Sequence, residues 1–130
     1  MRILVGYDGS KSARAALKVA VDHAKAFSSR VTLLTSLTGG TATSSEDVKD
    51  AQKSLESARS TLENEGISCD THLLVKGFTP GEDIVEFANK NEIDEIIIGI
   101  KKVSKVGKLV FGSTAQHVIL EASCPVLSVK

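Results

Sequence analysis

Short apolar runs and longer amphipathic stretches alternate along this chain from end to end. The first run, Arg2–Tyr7, carries Ile3, Leu4 and Val5 and stops at Asp8-Gly9-Ser10. A short apolar run closed by turn residues predicts a buried strand. Ser10 is of a type that caps helices, and the stretch Lys11–Phe27 that follows is predicted as a helix. Its Ala13, Ala16, Leu17, Ala20, Ala24 and Phe27 recur every three or four residues, so all six are expected on the inward face. The stripe is mostly alanine, which lets the helix lie close to a sheet. Arg30–Leu37 reads as a second strand and Thr38–Ser45, rich in Gly, Thr and Ser, as a loop. A long helix over Ser45–Glu65 follows, with a narrow stripe of Val48, Ala51, Leu55, Ala58 and Leu62. Gly66 is placed to end it in a left-handed conformation.

Ile67–Val75 alternates apolar with polar more strictly than the other runs, as a half-exposed edge strand does. Thr79-Pro80-Gly81-Glu82 combines a cap, a proline at the first helical position and a capping-box acid. The helix it opens runs to about Asn91 and buries Ile84, Val85, Phe87 and Ala88. Asp94–Ile100 contains Ile96-Ile97-Ile98-Gly99, a continuous apolar run suited to a central strand covered on both faces. After a basic loop, Lys101–Phe111, Gly112-Ser113-Thr114 opens a last helix to about Ala122, with Ala115, Val118, Ile119 and Ala122 inward. Pro125–Val129 is the fifth strand. Strand-helix repeated four times and ending in a strand predicts an α/β fold. Specifically, one domain over residues 1–130 holds an open doubly wound five-stranded parallel sheet, order 3-2-1-4-5, with helices on both faces.

Charge removes some function classes. Sixteen basic and 16 acidic residues cancel, whereas a general nucleic-acid binder needs an excess of Lys and Arg to displace counterions. No apolar run approaches the ~20 residues of a membrane helix, and no signal segment precedes Ile3-Leu4-Val5. Cys69 and Cys124 are distant and form no CxxC, the usage of a reducing compartment. A cytoplasmic location is therefore expected, with no membrane and no nucleic-acid partner. His23, His72 and His117 share no ligand spacing with each other or with the cysteines, so no metal site is expected. No nucleophile is paired with a base, and no catalytic residue is assigned.

In an open sheet of this order, ligands bind at the strand carboxyl ends where the winding reverses, here between the first and fourth strands. That point is rimmed by Tyr7-Asp8-Gly9-Ser10 and by the stretch from Gly99 to Thr114. A helix starting at Gly112-Ser113-Thr114 offers free N–H groups to an anion, and Lys101, Lys102, Lys105 and Lys108 would draw a phosphate towards them. The same residues also suit plain helix capping and a solubilised loop. Asp8 likewise suits either ligand contact or capping of the first helix. Neither GxxxxGK[ST] nor GxGxxG is present, so a P-loop hydrolase and a Rossmann dehydrogenase are unsupported.

Taken together, the strand ending in Asp8-Gly9-Ser10, the strand Ile96-Ile97-Ile98-Gly99, Gly112-Ser113 and the terminal Cys124-Pro125-Val126-Leu127 resemble the universal stress protein family over the whole chain. The resemblance implies an adenine nucleotide alpha-hydrolase-like fold and a stress-response regulatory role. It also implies a nucleotide pocket in which Asp8 sits near the ribose and Gly99, Gly112, Ser113 and Thr114 line the ribose and phosphates. Gly9 and Ser10 complete the first rim. Two positions depart from the family pattern: Lys102 replaces the middle glycine, and Ser36 stands where a valine usually meets the adenine. ATP binding, with Mg2+ if it occurs, is accordingly expected to be weak or lost, and another adenine nucleotide stays open. By the same resemblance the last strand pairs with its copy in a homodimer, burying Val126 and Val129 or Leu127. Two classes of function remain: a ligand-sensing protein without turnover, or a slow ATP hydrolase or phosphotransferase using Asp8 and the Gly112-Ser113 helix start.

Overall fold

The computed structural model describes all residues except 39–42, 76–77 and 101–111. The basic loop Lys101–Phe111, with Lys102, lies outside the described residues, as does the centre of the Thr38–Ser45 loop. The elements follow in the order β1 (Arg2–Gly6), α1 (Lys11–Phe27), β2 (Arg30–Leu37), α2 (Ser45–Asn64), β3 (Cys69–Val75), α3 (Pro80–Lys90), β4 (Glu95–Gly99), α4 (Ser113–Glu121) and β5 (Val126–Val129). The five strands are all parallel and lie in the order β3-β2-β1-β4-β5. The fold is thus the doubly wound sheet that the alternation predicts, with β1 and β4 in the interior.

Side chains leave a strand alternately to its two faces, and the sheet therefore builds two cores. On one face Ile3, Val5, Val31, Leu33 and Ile97 pack with the alanine stripe of α1 and with Leu55, Ala58 and Leu62 of α2. On the other, Leu4, Leu34, Ile96 and Ile98 pack with Ile84 and Ala88 of α3 and with Ala115 and Val118 of α4. Because both faces are covered, the central strands read as unbroken apolar runs. The edge strand β3 also serves both: Leu73 packs on the first core and Leu74 on the second.

Local signals set the helix ends. Ser10, Ser44 and Thr79 each accept a backbone N–H of the first turn, from Ala13, Asp47 and Glu82. The α2 start is a full capping box, with the Asp47 carboxylate accepting the Ser44 N–H in return. Gly66 follows α2 at φ +78, a conformation open to glycine at little cost.

Two expectations need correction. Phe27 is 57% exposed at the end of α1, because the chain leaves the sheet there through Ser28 in the left-handed region. Ile119 is 41% exposed and Leu120 71%, so the inward face of α4 narrows to Ala115 and Val118, with Ala122 partly buried behind them. A helix at the margin of the sheet finds too little strand beneath it to cover a wider stripe.

Candidate functional site

The carboxyl ends of β1 and β4 diverge into α1 on one face and α4 on the other, leaving a cleft of about 290 Å³ at the switch point. Its floor follows from strand register: Gly6 lies between Leu34 of β2 and Ile98 of β4, and Ile84 of α3 closes over it. Gly6 is small for a reason, since a Cβ there would come within 2.9 Å of Ile84 Cδ1. The walls are polar: Asp8, Ser10 and Ser12 on one side, Ser36 from β2, and Gly112, Ser113 and Thr114 at the start of α4.

Of the candidates named from the sequence, Asp8, Ser10, Ser36, Gly99, Gly112, Ser113 and Thr114 all line this one cleft. Gly9 instead lines a neighbouring cleft of about 540 Å³, shared with Asp8 and Ser36 and walled by Asp47, Asp50 and Ser54 of α2. Lys102 lies outside the described residues.

Each rim residue has a local task. Asp8 Oδ1 accepts the Ser10 N–H at 2.9 Å, which turns the chain from β1 towards α1. Gly9 takes φ +77, and Arg14 Nη1 donates to the Gly9 carbonyl at 2.7 Å. Ser10 Oγ caps α1 through the Ala13 N–H and lies 3.2 Å from Ser12 Oγ. One oxygen of Asp8 is therefore committed to the turn that precedes α1, whose N-cap is Ser10.

Gly99 owes its identity to packing. A Cβ there would lie 2.3 Å from the Ser12 carbonyl carbon and oxygen and 2.7 Å from the Ala13 nitrogen. The first turn of α1 thus rests directly on the end of β4. Gly112 is the opposite case: among the described residues no atom lies within 4 Å of a Cβ built on it, and its backbone is extended. As the N-cap of α4 it provides no side-chain hydrogen bond. Among the described residues, no side chain therefore caps the first-turn N–H groups of α4, where Gly112–Ala115 line the cleft.

Two residues of the site were not singled out from the sequence. Ser12 sits two positions after a serine that already explained the helix start. Asp83 is 3% exposed, and its carboxylate accepts the Ser36 hydroxyl proton at 2.5 Å. The signal for Asp83 was its place one turn before Phe87, on the face of α3 that turns to the sheet. Beneath these, Thr35 Oγ1 donates to the Tyr7 carbonyl and ties β2 to the end of β1.

The family model for the universal stress protein family matches residues 1–130. The chain belongs to the universal stress protein family. A solved universal stress protein from Archaeoglobus fulgidus is 41% identical, with a TM-score of 0.91 over 100% of this chain and 98% of that one. A second from the same organism, described in complex with dAMP, is 37% identical, with a TM-score of 0.85 over 100% and 98% of the two chains. Among curated relatives, a universal stress protein of Thermus aquaticus is 32% identical, covering 98% of this chain and 97% of the relative. These likenesses make the sheet the adenine nucleotide alpha-hydrolase-like form of the doubly wound fold.

Proposed function

We propose that this universal stress protein is a cytoplasmic regulatory protein that senses a small adenine nucleotide in the switch-point cleft. The carrying observation is the start of α4: among the described residues no side chain caps its N–H groups, and they border a cleft whose floor is apolar. An anionic group belongs at the helix start, where the N–H groups and the helix dipole favour negative charge. A flat apolar group belongs on Leu34, Ile84 and Ile98. The 37% identical relative described with dAMP supports the same ligand class. The ligand contacts proposed are Asp8, Ser10, Gly112, Ser113 and Thr114, with Gly9 and Gly99 shaping the rim.

ATP with Mg2+ is the weaker ligand in this reading, because Lys102 brings a four-carbon side chain where the family pattern has a glycine. A mononucleotide needs less of that channel. Equilibrium dialysis with labelled AMP and ATP tests both parts, using the wild type and Lys102→Gly. AMP binding, and ATP binding strengthened by Lys102→Gly, is expected. Micromolar ATP binding by the wild type would refute the weakening, and failure of AMP to bind would refute the nucleotide reading.

The proposed assembly is a homodimer through β5. This strand is an edge of the sheet, so among the described residues its outer backbone groups have no strand partner. Val126, Leu127 and Val129 are only partly buried along it. A two-fold pairing of β5 with its copy would cover them. Light scattering that shows only monomer at working concentration removes this part.

A further inference from the structure

Between the edge strand β3 and α3 lies a groove of about 140 Å³. It is lined by Leu74 of β3, by Phe78, and by Asp83, Glu86, Phe87 and Lys90 of α3. It shares no lining residue with the switch-point cleft. Leu74 and Phe87 are partly buried on the second core, whereas Phe78 is 54% exposed. The His72 ring adds to the aromatic wall, its centroid 4.9 Å from that of Phe87. Pockets for whole small molecules run from about 300 to 1,000 Å³, so this groove has room for one side-chain head group.

Asp83 is the polar centre of this wall. Its Oδ2 accepts the Ser36 hydroxyl, which fixes the carboxylate in place. Among the described residues Oδ1 has no hydrogen-bond partner, and no cation pairs with the carboxylate. Oδ1 is not shut away either, since among the described residues only Ser29 Oγ is both enclosed and unbonded. The start of α3 favours the negative charge but brings no donor to Oδ1. Lys90 Nζ donates to Glu86 at 2.6 Å, so those two charges offset one another. The described lining is therefore net negative, and its open acceptor belongs to a carboxylate that is 3% exposed. Such a group is best satisfied by a charged donor.

We infer that this groove docks an arginine side chain of a partner protein, carried on an extended segment beside β3. A guanidinium is planar, weakly hydrated and always charged, and it stacks on aromatic faces. Phe78 and Phe87 supply such faces, and Asp83 Oδ1 supplies the acceptor. β3 is an edge that, among the described residues, pairs with β2 alone, so its outer backbone groups can pair with an added strand. Alternate side chains of an added strand fall on one face, and Leu74 places the groove on the face covered by α3. Val75, 44% exposed, extends the apolar contact along the edge. The proposed homodimer uses the opposite edge, so the two contacts do not compete. The inference does not rest on the nucleotide reading of the cleft.

The probe is a fluorescein-labelled, end-blocked pentapeptide, Thr-Val-Arg-Val-Thr, compared with the same peptide carrying citrulline, which keeps the shape of arginine without its charge. In anisotropy titrations of the full chain, the arginine peptide should bind roughly tenfold or more tightly than the citrulline peptide, the value of one charge-assisted hydrogen bond. Phe78→Ala should weaken the arginine peptide about two- to fivefold, the value of an exposed cation–π contact. Asp83→Asn should erase the preference for arginine over citrulline. Amide NMR shifts on peptide addition should fall on Leu73–Val75 and on the first two turns of α3. Equal binding of the two peptides by the wild type, or binding of neither, overturns the proposal. Shifts confined to the switch-point cleft or to β5 also overturn it. Free arginine methyl amide binding as tightly as the peptide would overturn the partner segment. Self-association of the wild type that Phe78→Ala abolishes would make the occupant a second copy and overturn it too. If Asp83→Asn fails to fold, the wild-type peptide pair and the exposed Phe78→Ala decide.

Discussion

Gly99→Ala separates two explanations of a motif glycine. A ligand-contact glycine can be replaced at a cost to binding alone. The geometry here demands a cost to folding. The new Cβ would sit 2.3 Å from Ser12 backbone atoms, whereas ordinary contact begins at 3.4 Å. The start of α1 would have to retreat by roughly 1.1 Å, the gap between those two distances. The atoms met are backbone, held by the Ser10 cap and by the alanine stripe packed on Ile3, Val5 and Ile97, so no side-chain rotation relieves the clash. Overpacking of this kind costs about 1–3 kcal/mol, and a rigid obstacle places Gly99→Ala at the upper end. For a domain of this size that is about 10 °C in Tm. Gly6→Ala is the matched control, because its nearest obstacle is the tip of Ile84 at 2.9 Å, which can swing. Its cost should fall near the lower end of the same range, about 1 kcal/mol. Urea unfolding followed by far-UV circular dichroism measures both. Gly99→Ala within ~0.5 kcal/mol of the wild type, the range of ordinary surface substitutions, would refute the packing argument.

Three further outcomes are expected. Gly112→Ser should raise stability by a few tenths of a kcal/mol, about the difference between glycine and serine caps, and weaken AMP binding in dialysis because the hydroxyl takes an N–H the anion would use. Burial pushes the Cys69 thiol up to about 12, so it should resist iodoacetamide in the native protein. Its unfolded form ionises near ~8.5, so stability should decline as pH rises from there towards the native value, and Cys69→Ala should flatten that alkaline limb of urea midpoints. The hydrogen bond from Arg30 holds the Asp70 carboxyl below its usual value, so this pair stabilises at neutral pH and is lost as pH falls through that lowered value. Both side chains are about half exposed, so Asp70→Asn should shift the acid limb of the unfolding curve only slightly.

The strand order was legible because apolar continuity reports how many faces of a strand are covered. Ile96-Ile97-Ile98 has no polar interruption and lies in the sheet interior, while the alternation of Cys69–Val75 belongs to an edge. Helix starts were legible for a local reason, since a cap and its first-turn N–H are three residues apart in sequence. What periodicity missed was the width of the sheet under each helix. Phe27 and Ile119 keep the helical spacing of inward residues, yet both are exposed, Phe27 at the last helical position before the turn at Ser28 and Ile119 on a helix beside the edge strand β5. The cleft was legible in position through the switch-point rule, and Asp8, Ser10, Ser36 and the Gly112–Thr114 start do meet there. Asp83 was not, because its partner Ser36 is 47 residues away and the helical spacing that turns position 83 to the sheet names no hydrogen-bond partner for it.

The two outer glycines of the family pattern show how one cleft serves folding and binding with separate parts. Gly99 lets the end of β4 touch the backbone of α1, so the wall on that side is set by packing. Among the described residues, nothing neighbours the Cβ position of Gly112 and no side chain caps the opening turn of α4, so the opposite wall keeps hydrogen-bonding capacity in reserve. α1 belongs to one core and α4 to the other, and β1 and β4 are shared between them. An anion at α4 whose apolar body rests on Leu34, Ile84 and Ile98 would therefore bear on both layers of the domain at the line where their crossovers part. A ligand there draws on rigid elements from both sides of the sheet.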